Sequence, residues 1–324
     1  MAEWYRHWPS LWYSGAPAPR FSPMSDRDRP TASPAAPKQP KPAWLKVRAP
    51  AGEKYSRIKR TLRAQGLFTV CEQARCPNVG ECWGSGTATI LLLGPTCTRG
   101  CRFCAVSSGD PRGRVDAREP ERVAAAVAAL ELDYVVLTMV TRDDLPDGGA
   151  SHVARTVHEL RRQRAGLLVE TLVGDFAGQQ GALDVVLSAQ PDVLAHNVEV
   201  TRRLTPRVRD RRCSYDLSLD VLRRAHADGG ARFVKSSLMV GVGETDDEVL
   251  ETLADLRAAG ARIATLGQYL QPTSRHAPVA RYVSPGQFTA YACAAQRLGF
   301  SFAAAAPLVR SSYRAAEAFV RAQL

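Results

Sequence analysis

Six of the eight cysteines, Cys71, Cys76, Cys82, Cys97, Cys101 and Cys104, crowd into one stretch of the chain, while Cys213 and Cys293 stand alone. Spacing divides the six into two triads: C-x4-C-x5-C in CEQARCPNVGECW, and C-x3-C-x2-C in GPTCTRGCRFCAV. Thiols gathered this way point to metal before disulfides in a reducing compartment. A cytoplasmic location is the expectation, because no run approaches the ~20 apolar residues of a membrane span and the N-terminus lacks the pattern of a secretory signal. Three thiolates can hold three irons of a [4Fe–4S] cube and leave the fourth iron open to another molecule. The competing reading is zinc, but a structural zinc site is a closed tetrahedron of four ligands, commonly in pairs, whereas the downstream triad offers three with unequal gaps.

Beyond Thr89 the chain alternates β-type runs with helical ones. Six strands are predicted: TILLLG ending at Gly94, YVVLTMV at Val140, LLVETLV at Val173, DVLAHNV at Val198, RFVKSSLMV at Val240 and RIATLGQYL at Leu270. Helices fill the gaps, including PERVAAAVAALEL from Pro120 and a run that Thr245 caps and Gly260 ends. Repeated strand–helix units predict an α/β fold, a barrel whose strands put their functional loops at the carboxyl ends; a typical barrel of ~250 residues fits within the chain. The C-x3-C-x2-C triad follows the first of those strands directly.

With an aromatic such as Phe103 before its last cysteine, the downstream triad resembles the signature of radical S-adenosylmethionine enzymes. In that superfamily the open iron is chelated by the amino and carboxylate groups of S-adenosylmethionine. The C-x4-C-x5-C triad just upstream, together with PLVRSSY (Arg310, Ser311, Ser312, Tyr313), makes the chain resemble the lipoyl synthase family. TRDDLPDGGA, HNVE, KSSLMVGVGET and TLGQYLQPT extend the resemblance from about Trp44 to Tyr313. Two departures, no proline before Asp175 and Ala306 in place of the usual glycine, touch no ligand.

The resemblance implies a (β/α)6 partial TIM barrel with N- and C-terminal extensions that carry an auxiliary [4Fe–4S] cluster. Its expected boundaries are a disordered Pro/Ala-rich segment at 1–50, an extension with the auxiliary cysteines at 51–88, the partial barrel at 89–300 and a C-terminal extension at 301–324. Met24 is an alternative start. By the same resemblance Cys97, Cys101 and Cys104 hold the radical-generating cluster, and Cys71, Cys76 and Cys82 hold the auxiliary one with a serine hydroxyl as fourth ligand. That ligand is assigned to Ser312, with Ser311 as the alternative; as residues alone, the pair reads better as a cap on the helix that follows, and the coincidence with both triads reverses that preference. The implied reaction inserts two sulfur atoms at carbons 6 and 8 of a protein-bound octanoyl-lysine. Two equivalents of S-adenosylmethionine are consumed, and the auxiliary cluster gives up the sulfur.

Implied partners are octanoylated lipoyl domains of 2-oxoacid dehydrogenases and the glycine-cleavage H protein, a reducing electron donor, and an iron–sulfur carrier that rebuilds the cluster; neither nucleic acid nor membrane is expected. The rivals are another two-cluster sulfur inserter, of the methylthiotransferase or biotin-synthase type, and a zinc-stapled nucleic-acid-binding protein, which the formal charge of +11 would suit. Polar residues in apolar strands are tolerated when they face a liganded cavity. Glu170, Asn197, Glu199, Lys235 and Gln268 meet that description. By resemblance to the superfamily such inward residues contact S-adenosylmethionine, and Glu170, Asn197 and Lys235 are the candidate contacts, with buried ion pairing between strands as the alternative. His196 and His276 have no catalytic partners in sequence and are expected to be structural. GVGET lacks the Lys-Ser/Thr ending of a phosphate loop and reads as a strand–helix turn. The arginine-rich TRRLTPRVRDRR from Thr201 either docks an acidic carrier or coats a surface.

Overall fold

The computed structural model describes residues 40–47, 49–84, 87–312, 319–320 and 323. The alternative start at Met24, most of the 1–50 segment, Tyr313 and most of the helix expected after it lie outside the described residues. Within the 1–50 segment, Ala43–Leu45 forms a 3-10 turn whose Leu45 is buried.

The extension comprises helix α1 (Glu53–Ala64), strand β1 (Phe68–Thr69), α2 (Val70–Gln73) and α3 (Val79–Gly84). Strand β2 (Thr89–Leu92) then opens the barrel, followed by a two-strand ladder of β3 (Thr96–Cys97) and β4 (Ser107–Ser108). Alternation proceeds through α4 (Glu119–Ala129), β5 (Tyr134–Met139), α5 (Ala150–Gln163), β6 (Leu168–Leu172), α6 (Gln180–Ser188), β7 (Val193–Ala195), α7 (Thr205–Val208), α8 (Tyr215–Asp228), β8 (Phe233–Val240), α9 (Asp246–Ala258), β9 (Ile263–Gln268), α10 (Pro285–Arg297) and β10 (Phe302–Ala305). The large sheet runs β1-β2-β5-β6-β7-β8-β9-β10, parallel from β2 to β10, with β1 antiparallel at the edge. Among the described residues no pairing returns β10 to β2, so the sheet is a partial barrel.

All six predicted strands form, each largely buried on both faces, as a parallel strand covered by helices requires. Helix α9 starts as its sequence predicts: Thr245 accepts from the Glu248 backbone N–H, and the Glu248 carboxylate accepts from that of Thr245, a complete capping box. Gly260, at φ +90°, follows its end, and a Cβ there would strike the His226 ring at 2.3 Å.

The DVLAHNV run departs from expectation. Only Val193–Ala195 is continuous strand; Glu199 takes a left-handed φ of +68° and then rejoins the sheet through a bridge to Leu238. A bulky non-glycine residue in that region is strained. The interruption lies at the carboxyl end of β7.

Strand β10 was not anticipated from the sequence. It pairs with β9 and leads the chain into Pro307–Ser312, where the Gln268 N–H donates to Pro307 O at 3.3 Å. Gly267 permits this approach, since a Cβ on it would stand 2.0 Å from Val309 O. Gly267→Ala is expected to lower stability by about 1–3 kcal/mol, the cost of overpacking, and to make the segment after β10 the first site of proteolytic cleavage; a thermal melt with limited proteolysis checks both.

Candidate active site

At the carboxyl ends of the strands lies a cavity of about 490 Å³. Both cysteine triads line it, as do Ser311 and Ser312. Each group arrives by a different local route. Cys71 sits in α2, which Thr69 caps by accepting the Glu72 N–H at 3.2 Å. Cys76 follows in the loop, and Cys82 lies in α3. Asn78, between them, donates its Nδ2–H to Leu308 O at 2.6 Å and so ties the upstream triad to the segment that carries the serines.

The downstream triad is held from several sides. Thr98 donates its N–H to Thr141 O at 2.9 Å and its hydroxyl to Asp143 at 2.8 Å. Arg99, only 4% exposed, pairs with Asp143 at 2.9 Å and Asp175 at 2.6 Å. His276 donates from Nε2 to Cys104 O at 3.0 Å, the structural role expected of it. Phe103 packs into an apolar cluster with Val200, Leu204, Val208 and Met239. Glu244 accepts the Gly241 and Val242 N–H groups at 2.7 and 3.0 Å, so GVGET is the strand–helix turn predicted.

Burial pushes the Cys71 thiol up and, with the nearby Cys97 and Glu199, pushes Cys104 up to about 11. Cys101 is raised by its hydrogen bond to Cys213, a residue that looks isolated in sequence but lines the same cavity. Cys213 is in turn lowered to about 6 by that bond and by Arg209 and Arg99. The raised thiols of Cys71, Cys101 and Cys104 give up their protons readily only to a cation that replaces them. Among the described residues no three His, Cys, Asp or Glu side chains converge to hold one metal ion.

Four buried polar atoms on the cavity's lining residues have no hydrogen-bond partner among the described residues: Asn78 Oδ1, His196 Nε2, Asn197 Oδ1 and Arg209 Nε. The first three are acceptors, His196 because its Nδ1–H is committed to Val173 O at 2.9 Å, and the fourth is a donor. Glu199, half-buried two residues on from Asn197, takes the Asn197 amide at 3.1 Å, and desolvation raises its carboxyl. A ligand that offers N–H and O–H donors together with an acceptor would satisfy this set, and the strained turn after β7 brings His196 and Asn197 to it.

Asn197 is therefore brought to the cavity, whereas Glu170 and Lys235 are not among the residues that line it. They pair with each other at 2.7 Å, each side chain 1% exposed, and Tyr134 donates its hydroxyl to Glu170 at 2.6 Å. For these two the structure contains the inter-strand ion pair, with the lysine charge balanced by the carboxylate. Sequence reasoning missed Arg99, Asp143, Asp175 and Cys213; the one signal available was charge concentrated in TRDD and around the downstream triad.

Residues 91–256 match the model of the radical SAM superfamily, and residues 25–76 match the N-terminal domain of lipoyl synthase of that family. A lipoyl synthase of Sorangium cellulosum is 63% identical over 87% of this chain and 80% of its own length. One from Thermus thermophilus is 53% identical over 87% of each. A mitochondrial lipoyl synthase of Drosophila ananassae is 50% identical over 86% of this chain and 76% of its own. Among solved structures, Streptococcus suis SuiB bound to precursor peptide SuiA aligns with a TM-score of 0.53 at 10% identity, covering 70% of this chain and 52% of that one. That likeness speaks to the fold alone, and the chain spans about half the length of SuiB.

Lys235→Met is expected to cost about 3–5 kcal/mol by stranding a buried carboxylate, while Glu170→Leu with Lys235→Met together is close to neutral. Denaturant melts give the energies. Unchanged affinity for S-adenosylmethionine in the double variant would exclude a ligand role.

His196, fully buried, is held down to about 4 by desolvation and by Arg209. The folded chain thus binds fewer protons than the unfolded chain below the ordinary histidine value. Stability is full above about pH 6.5, falls as pH drops toward 4, and loses roughly 3 kcal/mol across that window. His196→Gln should flatten this slope in urea titrations between those pH values.

Proposed function

The chain belongs to the lipoyl synthase family of the radical SAM superfamily, and from that premise we propose that the cavity at the strands' carboxyl ends holds two clusters, one to generate the radical and one to surrender sulfur. Family membership carries the activity itself: the protein is a sulfur-inserting enzyme that uses S-adenosylmethionine and a [4Fe–4S] cluster and acts on a lipoyl-domain protein. Cys97, Cys101 and Cys104 are assigned to the radical-generating cluster. Cys71, Cys76, Cys82 and Ser312, with Ser311 as the alternative, are assigned to the auxiliary one.

The observation that carries this reading is that both triads and both serines line a single cavity although the chain brings them from opposite ends. The Asn78 bond to Leu308 O supports it further, because it makes the upstream loop and the serine segment one unit. When bound, the first cluster and S-adenosylmethionine supply a carbon radical strong enough to remove hydrogen from an unactivated C–H bond.

The chain's own contribution is placement and exclusion. His196 and Asn197 present acceptor atoms, and Glu199 a half-buried carboxyl, to the donors of S-adenosylmethionine. Leu91, Met139, Leu172, Leu238 and Met239 give the cavity apolar walls suited to an acyl chain. Apolar walls also keep water from a radical, and they hold the reacting carbon near the roughly 3–3.5 Å separation that hydrogen transfer needs. A serine oxygen is a hard ligand for iron among sulfurs and a weak point in the set, which suits a cluster that is taken apart in use. The proposed carriers are octanoylated lipoyl domains of 2-oxoacid dehydrogenases and the glycine-cleavage H protein, served by a reducing electron donor and an iron–sulfur carrier. No helix among the described residues is long and apolar enough to cross a membrane.

Replacing Cys71, Cys76 and Cys82 together by alanine should leave anaerobic cleavage of S-adenosylmethionine intact and abolish lipoyl product, whereas Cys101→Ala should abolish both. Lipoyl product at normal yield from the triple variant would refute the sulfur-donor assignment. Of the single changes Ser312→Ala and Ser311→Ala, the first should lower auxiliary iron content and product yield, and the second should not.

A further inference from the structure

The arginine-rich run after β7 has no role in the function above, and several of its arginines pair within this chain. Arg202 pairs with Asp216 at 2.8 Å, Arg203 with Glu248 at 2.6 Å, and Arg209, 8% exposed, donates to Ser218 at 2.7 Å. The part of the run that follows α7 grips the loop between Cys97 and Cys104.

The grip is nearly continuous. Arg102 N–H donates to Val208 O at 2.8 Å. Gly100 N–H donates to the Asp210 carboxylate at 2.8 Å, and Asp210 N–H donates to Cys101 Sγ at 3.3 Å. Arg212 donates to Thr98 O at 2.6 Å, reaches Asp143 at 3.1 Å, and holds Asp210 from Nε at 2.8 Å. A loop of three residues between two cysteines, with a glycine inside it, has no regular structure of its own to fix its sulfurs. Its shape is imposed from outside.

We propose that Asp210 and Arg212 are positioning residues for the radical-generating cluster: together they clamp the Thr98–Arg102 backbone and aim the Asp210 amide at the Cys101 sulfur. The inference rests on the cluster assignment made above for Cys97, Cys101 and Cys104. Hydrogen bonds to cluster sulfurs are among the levers that set a cluster's electronic properties, and a backbone donor works only while its loop is held. Asp210 and Arg212 act as one unit, because each orients the other and both end on the same short loop.

The test uses the full-length holoenzyme, reconstituted anaerobically, with the reduced cluster signal that responds to added S-adenosylmethionine read by electron paramagnetic resonance. In Asp210→Ala this signal should change in shape, and its iron should pass to a ferrous chelator about tenfold faster, the scale of one lost charge-assisted hydrogen bond. The signal that does not respond to S-adenosylmethionine should stay as in the parent. Asp210→Asn should fall between, since its amide oxygen still accepts the Gly100 N–H. Asp210→Ala with Arg212→Ala should be little worse than either alone, as expected for partners in one contact.

Unchanged spectra and iron retention in Asp210→Ala overturn the proposal. So does equal loss of both clusters with a lowered melting temperature in Asp210→Ala and Asp210→Asn alike, which would mark a general structural role. A parent protein with no signal that responds to S-adenosylmethionine would instead refute the cluster assignment itself.

Discussion

The active end of this fold depends on one buried cation. Arg99 lies between two cysteines of the downstream triad, almost without solvent, and burial alone would strip its charge. Asp143 and Asp175, which follow β5 and β6, outweigh that penalty and hold the guanidinium firmly charged, while burial of the carboxylates is offset in turn. The arrangement therefore locks three loops together at once. Removing both acids would leave an uncompensated charge in a low-dielectric place, a loss of about 3–5 kcal/mol in comparable settings. The cysteines on either side of Arg99 inherit their positions from this balance.

The two ends of the barrel show the same chemistry put to different uses. At the carboxyl ends, charged and polar groups keep unsatisfied atoms, strained backbone and thiols with displaced proton affinities. Deeper in the sheet, Lys235 and Tyr134 both pair with the Glu170 carboxylate, beside an apolar cluster of Val136, Val193, Phe233 and Ile263. This is the division expected of barrel enzymes, whose loops at the carboxyl ends carry function while the rest carries stability. A polar residue in a core strand is thus ambiguous until its depth along the strand is known. Asn197 lies beyond the end of β7, whereas Glu170 is the third residue of β6.

That difference explains what could be read from the residues alone. Cysteine spacing is local, so both triads and their separation were legible, and so were six strands whose apolar runs are long. Depth along a strand is not local, and Glu170, Asn197 and Lys235 look equivalent in sequence. Strand β10 was missed because FAAA lacks the branched side chains that mark a strand; its pairing comes from β9, already in place beside it. Cys213 looked solitary for a similar reason, since its proximity to Cys101 exists only once α7 turns the chain back over the cysteine loop.

The break in β7 shows how far function has shaped the backbone. A regular strand through His196–Glu199 would alternate its side chains and send half of them into the helical layer. Instead the chain leaves the sheet after Ala195, places Glu199 at positive φ, and rejoins β8 with the Met239 N–H donating to Glu199 O at 2.8 Å. The sheet tolerates the loss because the neighbouring pairings of β7 and β8 remain intact on the other side of the break. What the irregularity gains is a cluster of acceptors and a half-buried carboxyl at one edge of the cavity, opposite the cysteines in sequence yet lining the same space. Strain of this kind persists only where the surrounding structure over-determines it, and here the bridge to Leu238 and the bond from Asn197 to Glu199 do so. The backbone distortion and the unsatisfied atoms have the same cause, a strand end bent to meet a ligand.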